Sequence, residues 1–213
     1  MRVVTDTTGI VLAGGRGERL GMDKAALELG GRTLLQRSVD TLAAVSGTII
    51  ISLRADQPAP EAAAPAGARI IFASDAHQGR GPLAGLHAAM RAVESSLYFA
   101  AACDMPFLNA ELVRGMYSVA EEQNADAVIP RLADGRFHPL HAVYRRSCLP
   151  HIARVLDEAR TNRIIGFFDN VKVHWIEEPA LRATDPELLS FFNINTREDL
   201  ERAERLIPES GKQ

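Results

Sequence analysis

The chain alternates short apolar runs with helical patterns, and this alternation constrains its fold more than any other feature. Seven runs rich in β-branched and apolar residues are predicted strands: residues 9–13, 48–53, 68–72, 97–102, 127–129, 140–144 and 171–176. With the helical patterns between them, the elements follow the order β-α-β-β-α-β-α-β. That order predicts an α/β fold with three α/β/α layers, a Rossmann-like open sheet that is mainly parallel, and right-handed crossovers.

The predicted helices carry signals at their starts as well as apolar faces. Pro82 is typical of a first helical turn, where its missing N–H does no harm, and Asn109 and Thr196 are candidate N-caps. Asp199, three residues after Thr196, makes a variant of the capping box. The apolar faces are formed by Leu34, Leu35, Val39 and Leu42 in one helix and by Leu112, Val113, Met116 and Val119 in another.

Length and composition limit the possible partners. The 213 residues are enough for one sizeable core, and we expect a single domain over residues 1–213. The formal net charge of −3 argues against broad attraction to nucleic acid or to anionic membranes. No apolar run approaches the roughly 20 residues that cross a bilayer. Cys103 and Cys148 lack the spacing of a disulfide framework or metal knuckle, which predicts reduced thiols in a cytoplasmic protein.

A glycine-rich, basic loop follows the first predicted strand and reads GGRGERLGMDK over residues 14–24. In an open α/β sheet such a loop lies at the carboxyl edge, where ligands bind. Glycines let backbone N–H groups approach a phosphate closely, and Arg16, Arg19 and Lys24 supply positive charge. Neither the dinucleotide fingerprint nor the P-loop pattern fits these residues. The loop therefore predicts a polyphosphate site, and the alternative is a tight turn with solvated arginines.

Two aspartates follow predicted strands at the same edge of the sheet. Asp104 comes directly after the apolar run at 97–103, and Pro106 prevents the strand from continuing. A carboxylate that faces a triphosphate needs a hard cation between the two anions, and Mg²⁺ accepts carboxylate and phosphate oxygens. Asp75 follows the strand at 68–72. For both aspartates the alternative is a side chain that only stabilises a turn.

Four segments together resemble the molybdenum cofactor guanylyltransferases, a family with the sugar-nucleotide-transferase-like α/β fold. They are LAGGRGERLGMDK at 12–24, SDAHQGRGPLAGL at 74–86, CDMPF at 103–107 and FFNINTREDL at 191–200. The chain departs from the family pattern at Gly17, where serine is common, and at Leu20, where methionine is common. Loss of the serine removes a possible hydroxyl contact to phosphate, whereas the methionine-to-leucine difference is a packing exchange.

The resemblance implies a nucleotide-diphospho-sugar transferase-like fold and an enzyme that uses Mg²⁺ to transfer GMP from GTP to the terminal phosphate of molybdopterin. Its implied nucleotide site, in the N-terminal half, consists of Leu12, Ala13, Gly14, Gly15, Lys24, Asp75 and Asp104. Lys24, Asp104 and Arg19 take the catalytic roles, and Asp104 is the metal ligand. The implied molybdopterin site, in the C-terminal half, consists of His138, Pro139, Arg163, Asn193 and Asn195. Other cofactor-biosynthesis proteins and apo-molybdoenzymes are implied partners.

Two further observations bear on the C-terminal half. Asn193 and Asn195 alternate with Phe192 and Ile194, which predicts that both amides share one face of a strand. The remaining histidines form no ligand spacing, and we expect them to lie at the surface or to be hydrogen-bonded in the core; they are His77, His87, His141, His151 and His174.

Two other functions stay open at the level of sequence. The first is a related nucleotidyltransferase that uses CTP or another phosphorylated acceptor; Gly14 argues against CTP, because cytidylyl relatives tend to carry alanine there. The second is a nucleotide-binding regulator without catalytic activity. The presence of both Lys24 and Asp104 argues against a regulator, because simple binding requires no metal-aligned α-phosphate.

Overall fold

A computed structural model describes residues 6–15, 24–74, 80–158, 161 and 163–207. Its central feature is a seven-stranded sheet in the order β5-β4-β1-β6-β8-β7-β9. The strands are β1 (Thr7–Leu12), β4 (Thr48–Leu53), β5 (Arg69–Ser74), β6 (Leu97–Ala102), β7 (Ala127–Arg131), β8 (His141–Arg145) and β9 (Val173–Glu177). All neighbouring pairs are parallel except those of β8, which runs antiparallel to β6 and β7. The predicted mainly parallel sheet is confirmed.

Each of the seven predicted strands is present, and no end differs from the prediction by more than two residues. Sequence analysis missed a small hairpin of β2 (Glu28–Leu29) and β3 (Arg32–Thr33). Its two-residue turn is Gly30 and Gly31, with φ of 59° and 74°. A Gly-Gly pair is a typical signal for such a turn because both central residues need positive φ.

Helices cover both faces of the sheet. On one face α1 (Leu34–Ala43) and α3 (Ala110–Glu122) pack into one apolar cluster, and on the other α2 (Gly81–Ala92) and α4 (Leu149–Asp157) pack into a second cluster. Two later helices, α5 (Glu178–Arg182) and α6 (Arg197–Leu206), follow β9. The three-layer arrangement is therefore confirmed. Its physical cause is the alternation of side chains along each strand, which gives each face its own apolar surface to cover.

The caps predicted from sequence fix where α3 and α6 begin. Asn109 Oδ1 accepts hydrogen bonds from the N–H groups of Glu111 and Leu112 at 2.9 and 3.2 Å. Thr196 and Asp199 form a reciprocal capping box at the start of α6. These side chains satisfy donors that have no partner inside a helix, so each cap sets the first residue of its helix.

Neither cysteine forms a disulfide, and both are buried. Burial raises the pKa of the Cys148 thiol to about 12, because a thiolate is poorly solvated in the core. Within the described ranges, no helix combines the length and apolarity needed to cross a membrane.

Candidate active site

Three polar side chains from distant parts of the chain meet at the carboxyl edge of the sheet. Lys24 Nζ lies 2.7 Å from Asp104 Oδ2 and 2.7 Å from Asn195 Oδ1. The Lys24 and Asp104 side chains are only 13% and 18% exposed. A largely buried charge pair with a further hydrogen bond has a defined geometry, unlike most surface ion pairs.

The sheet topology brings Asp104 to the glycine-rich loop. Asp104 follows β6, and β6 is hydrogen-bonded to β1, the strand that leads into the loop. One further backbone hydrogen bond extends this pairing, from Cys103 N–H to the Leu12 carbonyl at 3.2 Å. Lys24 opens a short 3-10 turn, Lys24–Ala26, anchored by the buried Ala25. Asp104 therefore lies close to the start of the glycine-rich loop, because the strands that precede them, β6 and β1, are neighbours in the sheet.

The start of α6 supplies Asn195. The Ile194 N–H donates to the Asp104 carbonyl at 2.9 Å. Asp199 Oδ2 accepts from the N–H groups of Asn195 and Thr196 at 3.0 and 2.9 Å. These hydrogen bonds, led by that from Asn195, lower the pKa of the Asp199 carboxyl against the opposing effect of burial. The helix cap thus also fixes the backbone of a residue that contacts Lys24.

The predicted strand around Asn193 and Asn195 is wrong. Residues 192–195 have no regular secondary structure, and the segment pairs with the Asp104 turn through one backbone hydrogen bond. Asn195 points its amide oxygen at Lys24, whereas Asn193 Oδ1 is buried without a hydrogen-bond partner. An unpaired buried acceptor carries a desolvation cost that a ligand donor would relieve.

The predicted nucleotide residues Leu12, Ala13, Gly14 and Gly15 occupy the end of β1 and the residues after it. The Ala13 N–H donates to the Ser52 carbonyl at 2.9 Å, which joins the loop to the neighbouring β4. Gly14 is half-buried and Gly15 is exposed. Arg19 and Asp75, also predicted to contact the nucleotide, lie outside the described residues.

The predicted molybdopterin residues lie in three separate segments of the chain. His138 and Pro139 lie in the connection between β7 and β8, and the Pro139 carbonyl accepts from the Tyr144 hydroxyl at 2.6 Å. Arg163 is exposed at the start of the 3-10 segment Ile164–Asn170, which packs against α4. In the described part of the chain, no hydrogen bond or ion pair links Arg163 to Lys24 or Asn195.

Two histidines form an aromatic cluster with Phe191. The rings of His138 and His141 lie 4.8 and 4.7 Å from the Phe191 ring, centroid to centroid. Burial lowers the pKa of His138, and it lowers the pKa of the fully buried His141 to about 3. His138 Nε2 and both ring nitrogens of His141 have no hydrogen-bond partner among the described residues. The expectation that His141 is at the surface or hydrogen-bonded in the core is therefore wrong.

Sequence reasoning missed two side chains that contact the glycine-rich loop. Arg54 and Gln57 follow β4. Arg54 donates a hydrogen bond to the carbonyl of Gly14, the first loop residue, and Gln57 donates to the carbonyl of Ala13, which directly precedes the loop. Their position in the sequence could have indicated this role, because both residues come just after a predicted strand at the ligand-binding edge of the sheet.

The donor set at Asp104 fits a hard divalent cation that is held partly by a substrate. Within the described ranges, no group of three or more His, Cys, Asp or Glu residues could hold a metal by itself. Asp104 instead offers a carboxylate whose Oδ2 already faces the Lys24 ammonium. A single carboxylate that leaves the remaining ligands to phosphate oxygens and water is typical of magnesium-nucleotide sites.

Comparison with known proteins identifies the chain's relatives. A family model described as "MobA-like NTP transferase domain" matches residues 9–173. The chain is 39% identical over 201 residues to the probable molybdenum cofactor guanylyltransferase of Methanosarcina acetivorans, covering 91% of this chain and 88% of that protein. It is 38% identical over 201 residues to the molybdenum cofactor guanylyltransferase of Desulfosudis oleivorans, with coverage of 94% and 95%.

Solved structures share the fold. The molybdopterin-guanine dinucleotide biosynthesis protein A of Archaeoglobus fulgidus has a TM-score of 0.76 and 30% identity, covering 93% of this chain and 97% of that one. A Mycobacterium tuberculosis protein solved in complex with manganese has a TM-score of 0.61 at 18% identity, with coverage of 94% and 98%. At that identity the second likeness shows the fold alone. Together with the sheet topology, these likenesses confirm the predicted fold class.

Proposed function

Because the chain belongs to the MobA-like NTP transferase domain family, with molybdenum cofactor guanylyltransferases among its relatives, we propose that it transfers GMP from GTP to the terminal phosphate of molybdopterin. The products are the guanine dinucleotide form of the cofactor and pyrophosphate. The observation that carries the proposal is the contact of Lys24 with both Asp104 and Asn195, beside the glycine-rich loop. A nucleotide-binding regulator would not need this arrangement.

The reaction requires alignment and charge stabilisation more than covalent chemistry. An oxygen of the acceptor's terminal phosphate attacks the α-phosphorus of GTP, the bond from that phosphorus to the bridging oxygen breaks, and pyrophosphate leaves. Lys24 is placed to stabilise negative charge on the α-phosphate and the leaving group as they move apart. The N–H groups of Gly14 and Gly15 are available to hold the triphosphate, and Arg19 is a further candidate for a phosphate clamp.

Asp104 is the residue that would hold Mg²⁺. When bound, the metal supplies Lewis-acid stabilisation of phosphate charge, which is worth several kcal/mol in such sites. Support comes from the carboxylate of Asp104, which contacts Lys24, and from the pairing of β6, the strand before Asp104, with β1. Asp75 is a further candidate for contact with the nucleotide or the metal.

In the proposed single domain, each half of the chain binds one of the two substrates. The N-terminal half binds GTP and the metal, and the C-terminal half binds molybdopterin with His138, Pro139, Arg163, Asn193 and Asn195. Support for this division comes from the buried, unpaired atoms His138 Nε2 and Asn193 Oδ1, which can accept hydrogen bonds from a polar acceptor substrate. Asn195 connects the two proposed sites, because its amide oxygen accepts a hydrogen bond from Lys24 of the N-terminal half.

Further partners follow from the product. Other proteins of cofactor biosynthesis and the apo-molybdoenzymes that receive the dinucleotide are proposed partners. Nucleic acid and membranes are not expected as partners because the net charge is only −3. The cytoplasmic location stays a prediction.

The deciding experiment incubates the purified protein with molybdopterin, Mg²⁺ and GTP labelled at the α-phosphate. We expect labelled molybdopterin guanine dinucleotide and one pyrophosphate per dinucleotide. Parallel reactions contain labelled CTP or ATP. A dinucleotide formed from CTP in preference to GTP would contradict the guanylyl assignment, and absence of any dinucleotide would contradict the transfer itself.

A further inference from the structure

Two side chains from the segment after β4 hold the glycine-rich loop by its carbonyl groups. Arg54 Nη1 donates to the Gly14 carbonyl at 2.7 Å. Gln57 Nε2 donates to the Ala13 carbonyl at 3.2 Å. We call Arg54 and Gln57 the carbonyl bracket. Two consecutive peptide groups at the entrance to the loop are thereby fixed from the β4 side.

Local hydrogen bonds hold the side chains of the carbonyl bracket in place. Arg54 Nε donates to Asp56 Oδ1 at 3.2 Å, which limits rotation of the guanidinium. The Gln57 N–H donates to the Arg54 carbonyl at 3.1 Å, and the Arg54 N–H donates to Gln57 Oε1 at 3.4 Å. The second bond orients the Gln57 amide, because its oxygen faces Arg54 and its nitrogen is left to face the loop.

Fixing a carbonyl also fixes the next N–H. A trans peptide group is planar, so its C=O and N–H point in opposite directions, and the described residues contain no cis peptide bond. With the Ala13 carbonyl held by Gln57, the Gly14 N–H points away from the bracket. With the Gly14 carbonyl held by Arg54, the Gly15 N–H does so too. Neither N–H makes a hydrogen bond within the described ranges, so both remain available to a ligand.

The close approach of Arg54 also accounts for a glycine at position 14. A Cβ built on Gly14 would lie 3.3 Å from Arg54 Cγ and 3.5 Å from the Arg54 backbone nitrogen. The first distance is tighter than ordinary van der Waals contact, so a larger side chain would push the Arg54 stem away from the loop. Gly14 and Arg54 are therefore sterically matched.

The geometry points to Arg54 and Gln57 as positioning residues for nucleotide binding. They orient the N–H groups of Gly14 and Gly15 toward the triphosphate, and this inference rests on the proposed function. Because β1 lies between β4 and β6 in the sheet, the carbonyl bracket contacts Ala13 and Gly14 from the β4 side, whereas Asp104 follows β6 on the other side of β1. We therefore expect the bracket to affect nucleotide affinity rather than the rate of transfer.

The test measures the affinity of Arg54→Met and Gln57→Leu variants for GTP by titration calorimetry, together with KM and kcat for the transfer reaction. We expect each variant to bind GTP about tenfold more weakly, equivalent to about 1.4 kcal/mol, with kcat within about twofold of wild type. Arg54→Lys should recover part of the affinity because its ammonium can donate to the Gly14 carbonyl. Arg32→Met is the matched control, since Arg32 is exposed, is paired with Asp40, and loses the same charge.

The neutral Gln57→Leu change separates positioning from simple loss of charge. Wild-type GTP affinity in this variant would overturn the inference, as would an equal loss of affinity in Arg32→Met. The same titrations are run with CTP. Binding of CTP alone by the wild-type protein would contradict the guanylyl assignment, while a tenfold loss of CTP affinity in both bracket variants would still support the carbonyl bracket. Failure of the wild type to bind either nucleotide would overturn both proposals.

Discussion

At the scale of single residues, Lys24 is the side chain that connects the parts of the candidate active site. It bridges Asp104 and Asn195, which lie 80 and 171 residues further along the chain. Its ammonium is hydrogen-bonded to Oδ2 of the carboxylate that would hold the proposed metal. We therefore expect Lys24 and a divalent cation to compete for Asp104 in the absence of nucleotide. A bound triphosphate would relieve this competition because it would offer Lys24 other oxygens.

This competition predicts the behaviour of Lys24→Met. Without nucleotide, the variant should bind Mn²⁺ at least tenfold more tightly than wild type, because a fixed positive charge next to Asp104 has been removed. Transfer activity should fall at least a hundredfold. The measurement is electron paramagnetic resonance of free Mn²⁺ during titration, with circular dichroism to verify the fold.

Two controls accompany Lys24→Met. Lys172→Met removes the same charge at an exposed site, where the ammonium donates to the Gln123 carbonyl, and it should leave Mn²⁺ affinity unchanged. Lys24→Met combined with Asp104→Asn should lose the gained affinity. Equal Mn²⁺ binding by wild type and Lys24→Met would show that the ion pair does not limit metal binding.

The burial of His141 predicts that the free energy of unfolding depends on pH. Burial lowers its pKa to about 3, below the ordinary value of 6.5, so the unfolded chain binds the proton more readily. The contribution of neutral His141 to stability is therefore complete above pH 6.5 and is lost as the pH falls toward 3. The loss amounts to as much as about 1.4 kcal/mol per pH unit within this window.

The test compares the free energy of unfolding in urea, from pH 7.5 to 4.5, between wild type and His141→Leu. We expect a shallower acid dependence in the variant. Carboxyl groups with lowered pKa, such as Asp126 and Asp199, also weaken the fold in acid, but they do so in both proteins. His174→Leu, at a half-buried position on β9, serves as the control. Parallel pH curves for wild type and His141→Leu would contradict the prediction.

At the scale of secondary-structure elements, the start of α6 links a helix cap to the candidate active site. Asp199 completes the capping box and also accepts the Asn195 N–H. Asn195 in turn contacts Lys24. We therefore expect a change at the cap to reach the candidate active site through a single backbone hydrogen bond.

Asp199→Ala tests this link. The variant should lose about 1 kcal/mol of stability, the usual value of an N-terminal helix cap, and its kcat should fall several-fold because Asn195 no longer fixes Lys24. Urea denaturation and steady-state kinetics give the two values. Asn109→Ala removes the cap of α3 at similar cost, and Asn109 makes no contact with Lys24 or Asn195 among the described residues. Equal kcat values for the two cap variants would refute the functional role of the α6 cap.

At the scale of the whole molecule, the proposed nucleotide site brings together segments that are far apart in sequence. GTP bound between the glycine-rich loop and Asp104 should therefore stabilise the entire fold. At a concentration one hundred times its dissociation constant, a ligand adds about 2.7 kcal/mol, which corresponds to several degrees in Tm for a domain of this size.

Thermal unfolding with Mg²⁺ plus GTP, CTP or ATP measures this effect. We expect the largest increase in Tm with GTP, and a smaller one in Asp104→Asn, which keeps the shape of the side chain and loses its charge. Stabilisation by CTP in excess of that by GTP would argue for a cytidylyl activity. The comparison needs no molybdopterin, so it tests the choice of nucleotide separately from the choice of acceptor.

The sequence determined the seven strands of the main sheet and the chemical types of the candidate site residues. Strand patterns at 48–53 and 97–102 match the observed strands because burial on both faces requires continuous apolar runs, a local signal. Asn109 and Thr196 were readable as caps for the same reason, since a cap acts within three residues. The glycine-rich loop and Asp104 were assigned to one edge because parallel strands end together.

Tertiary structure alone decided which side chains meet. Asn195 was predicted on a strand face with Asn193, but its amide points at Lys24, and no local pattern encodes a contact across 171 residues. Arg54 and Gln57 can donate hydrogen bonds to the Gly14 and Ala13 carbonyls because β4 lies beside β1. His141 is buried with unpaired nitrogens because Phe99 and Phe191 pack on its ring. Local signals fix backbone conformation and polarity, whereas the partner of each side chain depends on strand order and packing.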